Sequence, residues 1–149
     1  MPQVEKSMLL GYSSQDMFML VEDIESYPLF LPWCKKTHIL FRDEHKTIAT
    51  LHIEHLGVKV HFTTENEKNF PCKMSLKLVD GPFTKLEGAW NFKTLTEKAC
   101  KIDFHMLYEF SNRLLNKPLS AVFGVIADKI VDAFVERAKE VYGKPDLIQ

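Results

Sequence analysis

Residues 100–110 read CKIDFHMLYEF. Ile102, Phe104, Met106, Tyr108 and Phe110 recur at every second position, and Asp103, His105 and Glu109 fall between them. Successive side chains of an extended chain point to opposite sides, so five repeats of period two describe a strand with one apolar face. Upstream the same reading repeats. Residues 84–93 put Leu86, Gly88, Trp90 and Phe92 on one face, and residues 73–79 put Met74, Leu76 and Leu78 there. Residues 58–68 present Val58, Val60 and Phe62. Residues 46–55 present Ala49, Leu51 and Ile53 against Thr50, His52 and Glu54. Residues 36–42 carry Ile39 and Phe41, and residues 3–10, QVEKSMLL, supply a short first strand. Leu56-Gly57 and Asp80-Gly81-Pro82 are turn signals between them.

The period changes after Asn116. Leu119, Val122, Phe123, Ile126, Ile130, Ala133, Phe134, Ala138 and Val141 form a stripe at spacings of three and four. This predicts one long amphipathic helix over 118–142, with Pro118 in its first turn and Gly143 and Pro145 at its end. The tail PDLIQ reads as loose. Near the start, Ser13 caps a short helix over 14–23 with Asp16 three residues on. Asp23 and Pro28 limit that helix, and a second short helical segment follows.

A meander of strands with one apolar face needs a cover, and the C-terminal helix is the one large apolar surface available. The predicted fold is α+β: a curved antiparallel sheet of about seven strands wrapped around a long C-terminal helix, the helix-grip arrangement. All 149 residues read as one domain. The net charge is −1, and no basic stripe stands out in the sequence, which argues against DNA or RNA readout. No stretch approaches a membrane span, and the N-terminus has no apolar signal core. Cys34, Cys72 and Cys100 are odd in number and widely spaced, which predicts inert thiols and a reducing cytosol rather than disulfides or zinc.

One helix is about 10 Å across and cannot fill a wide concave sheet. Phe62, Trp90, Phe92, Phe104, Tyr108, Phe110, Phe123 and Phe134 therefore either pack the gap or line a cavity. Both readings stand on the pattern alone. The inner faces carry few ionisable groups, which disfavours acid–base chemistry there. His52 and His55 point to opposite faces of one strand, and His61 and His105 point outward, so no metal site is predicted. There is no G-x-S-x-G elbow and no glycine-rich phosphate loop.

The segment 23–34, DIESYPLFLPWC, resembles a family signature of the form V-x-D-[VI]-x-x-Y-P-x-F-[LV]-P-x-C, with Val21, Asp23, Tyr27, Pro28, Phe30, Pro32 and Cys34 matching. Residues 78–86, LVDGPFTKL, and the strand pattern at Gly88, Trp90 and Phe92 resemble two further stretches, and Ala133-Phe134 with Arg137-Ala138 fits the closing helix. These motifs are those of the coenzyme-Q-binding START-like family, also labelled polyketide cyclase-like, and this chain is most similar to a bacterial branch of ribosome-association toxins.

The resemblance implies a helix-grip fold and a non-catalytic role in respiratory quinone function. It also implies a cavity for ubiquinone or another isoprenoid lipid, with no other cofactor. The ligand-binding candidates are Phe30, Leu31, Trp33, Phe62, Leu76, Trp90, Phe104, Met106, Tyr108, Phe123, Ile126 and Ile130. The bacterial branch further implies contact with the large ribosomal subunit, and a cyclase-like enzyme is the remaining alternative. The implied location is the cytoplasm, with transient contact at the inner membrane. Pro28 and Pro32 prevent a continuous helix and push Tyr27 and Leu31 toward extended backbone. The segment YPLFLPWC then forms a rigid lid presenting Phe30, Leu31 and Trp33. It either closes one end of a cavity, touches a membrane, or plugs the seam between helix and sheet. Arg137, if turned inward, would meet a quinone carbonyl.

Overall fold

The structure, a computed structural model, describes residues 3–111 and 113–144, with the side chains of 113–120 excepted. Strands β1 (Gln3–Leu10), β2 (Cys34–Arg42), β3 (Lys46–His55), β4 (Val58–Asn69), β5 (Lys73–Asp80), β6 (Phe83–Thr96) and β7 (Ala99–Phe110) form one sheet. Its order is β1-β7-β6-β5-β4-β3-β2, and every pairing is antiparallel. Strands β2 to β7 follow one another as hairpins, and β1 closes against β7. The alternation in 100–110 reappears as burial: Ile102, Phe104, Met106, Tyr108 and Phe110 are all buried. This is the helix-grip fold.

Helix α1 (Ser14–Glu22) begins where Ser13 Oγ accepts a hydrogen bond from the Asp16 amide at 3.0 Å. A single 3₁₀ turn (Ile24–Ser26) and the four-residue helix α2 (Tyr27–Phe30) follow. Helix α3 (Arg113–Tyr142) lies across the inner face of the sheet. It starts five residues before Pro118, so the expectation of proline in the first turn is corrected: the helix passes Pro118 and forgoes one backbone bond there. Its far end is fixed by two phenols. Tyr12 donates to the Gly143 carbonyl at 2.8 Å, and Tyr142 donates to the Asp16 carbonyl at 3.0 Å. Gly143, at φ +80°, ends the helix. The Leu119 side chain and the tail PDLIQ lie outside what is described.

The proline segment departs from its reading in two ways. Leu31 is extended as expected, but Tyr27 is helical at φ −52°, ψ −43°. Its phenol donates to the Val21 carbonyl and its ring packs on Phe134. These tertiary contacts outweigh the mild steric bias before a proline. The lid also presents little outward: Leu31 and Trp33 are buried and Phe30 is half-buried, while Leu29 and Pro32 are exposed. Trp33 joins the sheet through its carbonyl, which accepts from the Glu54 amide at 2.9 Å.

The β3–β4 hairpin turns on Leu56 (φ +51°) and Gly57 (φ +81°). Two positive φ values are what a two-residue turn needs to match strand twist, and asparagine tolerates the first position far better than leucine. Leu56 is 83% exposed and has no packing to lose. Leu56→Asn is expected to stabilise the fold by about 1 kcal/mol, read as a higher urea midpoint. An unchanged or lower midpoint would show that Leu56 is not strained.

Candidate functional site

Between the sheet and α3 lies a cavity of about 90 Å³. Its floor is Leu51 and Ile53 of β3, Phe62, Thr64 and Asn66 of β4, Leu76 of β5, Leu86 and Trp90 of β6, and Phe104 and Met106 of β7. Phe123, Ile126, Ala127, Ile130 and Phe134 of α3 form the roof. Val21, Ile24, Tyr27, Leu31 and Trp33 close the side. Each sheet residue arrives by period-two alternation, and the roof residues other than Ala127 by the helical stripe. The proline segment is thus a wall of the cavity, held by the Tyr27, Phe30 and Phe134 rings in mutual edge-to-face contact at 5.2–6.0 Å.

Among the described residues no charged side chain lines this space. Thr64 donates to Asn66 Oδ1 at 2.9 Å, and Asn66 Nδ2 faces the Met74 sulfur at 3.9 Å. Burial raises the Tyr27 phenol far above its ordinary range, so it stays neutral. The described lining residues include no carboxylate, imidazole or thiol to serve as general base or nucleophile. The arrangement can enclose an apolar molecule and offer it one amide and one hydroxyl. Small-molecule pockets start at roughly 300 Å³, so a ligand of that size must displace side chains or lift the wall.

Ten of the twelve candidate residues line the cavity: Leu31, Trp33, Phe62, Leu76, Trp90, Phe104, Met106, Phe123, Ile126 and Ile130. Phe30 and Tyr108 do not. Phe30 stands behind the wall with the Arg137 guanidinium 5.2 Å over its ring, which also directs Arg137 away from the cavity. Tyr108, with Phe110, packs against Phe123 from outside the lining. Phe92 likewise sits beyond it, against Phe18. The reading missed Thr64 and Asn66, although the alternation through Val58, Val60 and Phe62 leads directly to them. Their polarity hid an inward position.

Cys34 and Cys100 are buried, and burial pushes both thiols up to about 11, while Cys72 is exposed. A thiol with that pKa is not a nucleophile at neutral pH. Among the described residues no three His, Cys, Asp or Glu side chains gather as a metal site, and no helix is long and apolar enough to cross a membrane.

Residues 10–135 match the family model described as "Polyketide cyclase / dehydrase and lipid transport". The chain is 41% identical over 142 residues to the ribosome association toxin RatA of Escherichia coli (strain K12), covering 95% of this chain and 90% of that one. It is 26% identical over 149 residues to the mitochondrial coenzyme Q-binding protein COQ10 homolog B of Xenopus laevis, covering 97% of this chain and 61% of that one. Among solved structures, a START superfamily protein from Mycobacterium smegmatis superposes with a TM-score of 0.77 at 20% identity, covering 93% and 98% of the two chains. The match over most of the chain, on a helix-grip fold with an apolar cavity, places this protein in the START-like polyketide cyclase and lipid transport family.

Proposed function

We propose that this protein binds an apolar small molecule, ubiquinone or another isoprenoid lipid, between the sheet and α3, and supports respiratory quinone function without catalysing a reaction. The observation that carries this reading is the cavity itself, whose twenty described lining residues include none that is charged. Burying a lipid chain there is driven by roughly 25 cal/mol per Å² of apolar surface, before ordering costs. The Thr64 proton is committed to Asn66 Oδ1, which fixes the amide and leaves the second N–H of Asn66 Nδ2 to donate to a quinone carbonyl. A cyclase reading ranks below it, because the described lining residues include no acid–base pair. A cytoplasmic location, with transient contact at the inner membrane to load the lipid, follows from the same reading.

The test is lipid extraction and mass spectrometry on protein purified natively from a quinone-producing host. Stoichiometric quinone is expected. A lipid-free protein that also shows no saturable binding of a short-chain ubiquinone analogue would end the reading.

A second reading, association with the large ribosomal subunit, is favoured by the identity to RatA over nearly the whole chain. Co-sedimentation with large subunits at physiological salt tests it, and absence from the subunit fraction argues against it.

A further inference from the structure

The sequence shows no basic stripe, but the sheet assembles one. On the outer face of β2, β3 and β4, three imidazoles stand in a row. His38 and His52 meet edge to face with centroids 5.5 Å apart, and His52 and His61 stack at 5.3 Å with 25° between their planes. Antiparallel register produces the row: Lys36 pairs with His52, His52 with His61, and His38 with Thr50. Thr50 and Thr63 continue it through a hydroxyl pair at 2.6 Å. Beside the row runs a shallow groove lined by Lys35, Lys36 and Lys59, with Glu54 its one acid. A bulge between Cys34 and Lys36 brings both Lys35 and Lys36 to the groove. Among the described residues none of these three ammonium groups is paired with a carboxylate.

We propose that this face docks single-stranded RNA, with the phosphates on Lys35, Lys36 and Lys59 and unpaired bases stacked along His38, His52 and His61. His38 and His61 are exposed and His52 half-buried, and such rings on an open sheet, rimmed by unpaired cations, suit splayed bases and a phosphodiester backbone. The charge is concentrated: three lysines against one glutamate, in a chain whose net charge is −1. The groups facing the imidazoles are Lys35 and Lys36 from β2, Thr50 and Glu54 from β3, and Lys59 and Thr63 from β4. In the free protein, desolvation, Lys36 and the neighbouring imidazoles hold the His52 pKa below its ordinary value. A polyanion reverses that balance, so binding takes up protons and strengthens as pH falls. The inference deepens the ribosome reading by naming RNA as what is touched. The lipid cavity lies on the opposite face of the sheet, with Ile53 bordering both spaces.

The test uses the full chain and a fluorescein-labelled 20-nucleotide single-stranded RNA of mixed sequence, followed by anisotropy. Affinity is expected to rise about tenfold from pH 7.5 to pH 6.0, because the bound polyanion favours the charged form of His52. It should fall with log salt at a slope near −0.7 for each neutralised phosphate, about −2 for three lysines. K35E/K36E/K59E is expected to weaken binding more than tenfold, and the single variants K36E and K59E to weaken it in part. H38Q/H52Q/H61Q should abolish the gain at pH 6.0. All these positions lie on the outer face, so unchanged thermal melting is the check that each variant folds. No saturable binding at pH 6.0, or binding indifferent to both sets of variants, overturns the proposal. Binding to vesicles of 70:30 phosphatidylcholine and phosphatidylglycerol without binding to RNA also overturns it, and assigns the face and the neighbouring Leu56 tip to a lipid surface. Large-subunit sedimentation of the same proteins separates the two claims. If K35E/K36E/K59E still sediments, the ribosome reading stands and the RNA face falls. If the wild type binds RNA without sedimenting, the face stands and the ribosome reading falls.

Discussion

Phe134→Ala is expected to cost about 3–5 kcal/mol of stability, a large share of the 5–15 kcal/mol typical of a domain. Phe134 is 1% exposed and meets the Tyr27, Phe30 and Trp90 rings at 5.2–5.4 Å. It joins α3, the proline segment and the sheet at one point. Removing the ring leaves these three partners without a common neighbour and enlarges the cavity they share. If the cavity is the ligand site, the lost stability is partly recoverable, because a ligand that binds only the folded state adds RT ln(1 + [L]/Kd). A short-chain ubiquinone analogue should then raise the melting temperature of the variant more than that of the wild type. Phe110→Ala is the matched control. Phe110 is also buried and stacked, 4.5 Å from Phe83, but it does not line the cavity. Its loss should cost a similar amount with no gain in ligand response. Equal responses from the two variants would detach the cavity from ligand binding, and a loss under about 1 kcal/mol would show that Phe134 is not the joint described.

The sheet was legible because its alternation is strict and its turns carry glycine and aspartate. Period two in residues 100–110 names five of the seven buried side chains of β7 without knowledge of the fold. The stripe on α3 names four of its five described roof residues for the same reason, and misses Ala127. Legibility fails where placement depends on partners distant in sequence. Tyr27 is helical against its proline neighbour because Phe134 and the Val21 carbonyl hold it. Leu31 and Trp33 look like surface features in a proline-rich segment, yet α3 and the sheet bury them. Thr64 and Asn66 follow the alternation, and only a bias toward apolar lining hid them. The histidine row is invisible along the chain, since 14 and 9 positions separate its members and only the register of three strands aligns them.

Glu22 shows the same limit in an ion cluster. Its carboxylate, 13% exposed, meets Lys68 Nζ at 2.8 Å, Arg42 Nε at 3.0 Å and the Thr47 hydroxyl at 3.1 Å. One side chain at the end of α1 thus fastens that helix to β2, β3 and β4. It lies next to Val21, a wall residue of the cavity. Glu22→Ala is expected to destabilise by about 3–5 kcal/mol, because the Lys68 ammonium, 7% exposed, is left buried and unpaired. Arg42 suffers less, since it keeps a two-pronged contact with Glu25 at 2.6 and 2.9 Å. Lys68→Met should cost less than Glu22→Ala, because the carboxylate retains Arg42 and Thr47. The double variant E22A/K68M should be more stable than E22A alone: with the ammonium gone, no stranded charge remains. Urea denaturation of the four proteins measures this coupling. If the two single losses simply add in the double variant, Glu22 and Lys68 do not act as a pair. α1 would then be held to the sheet by its apolar face, through Met17, Phe18 and Val21, and not by the charge at its end.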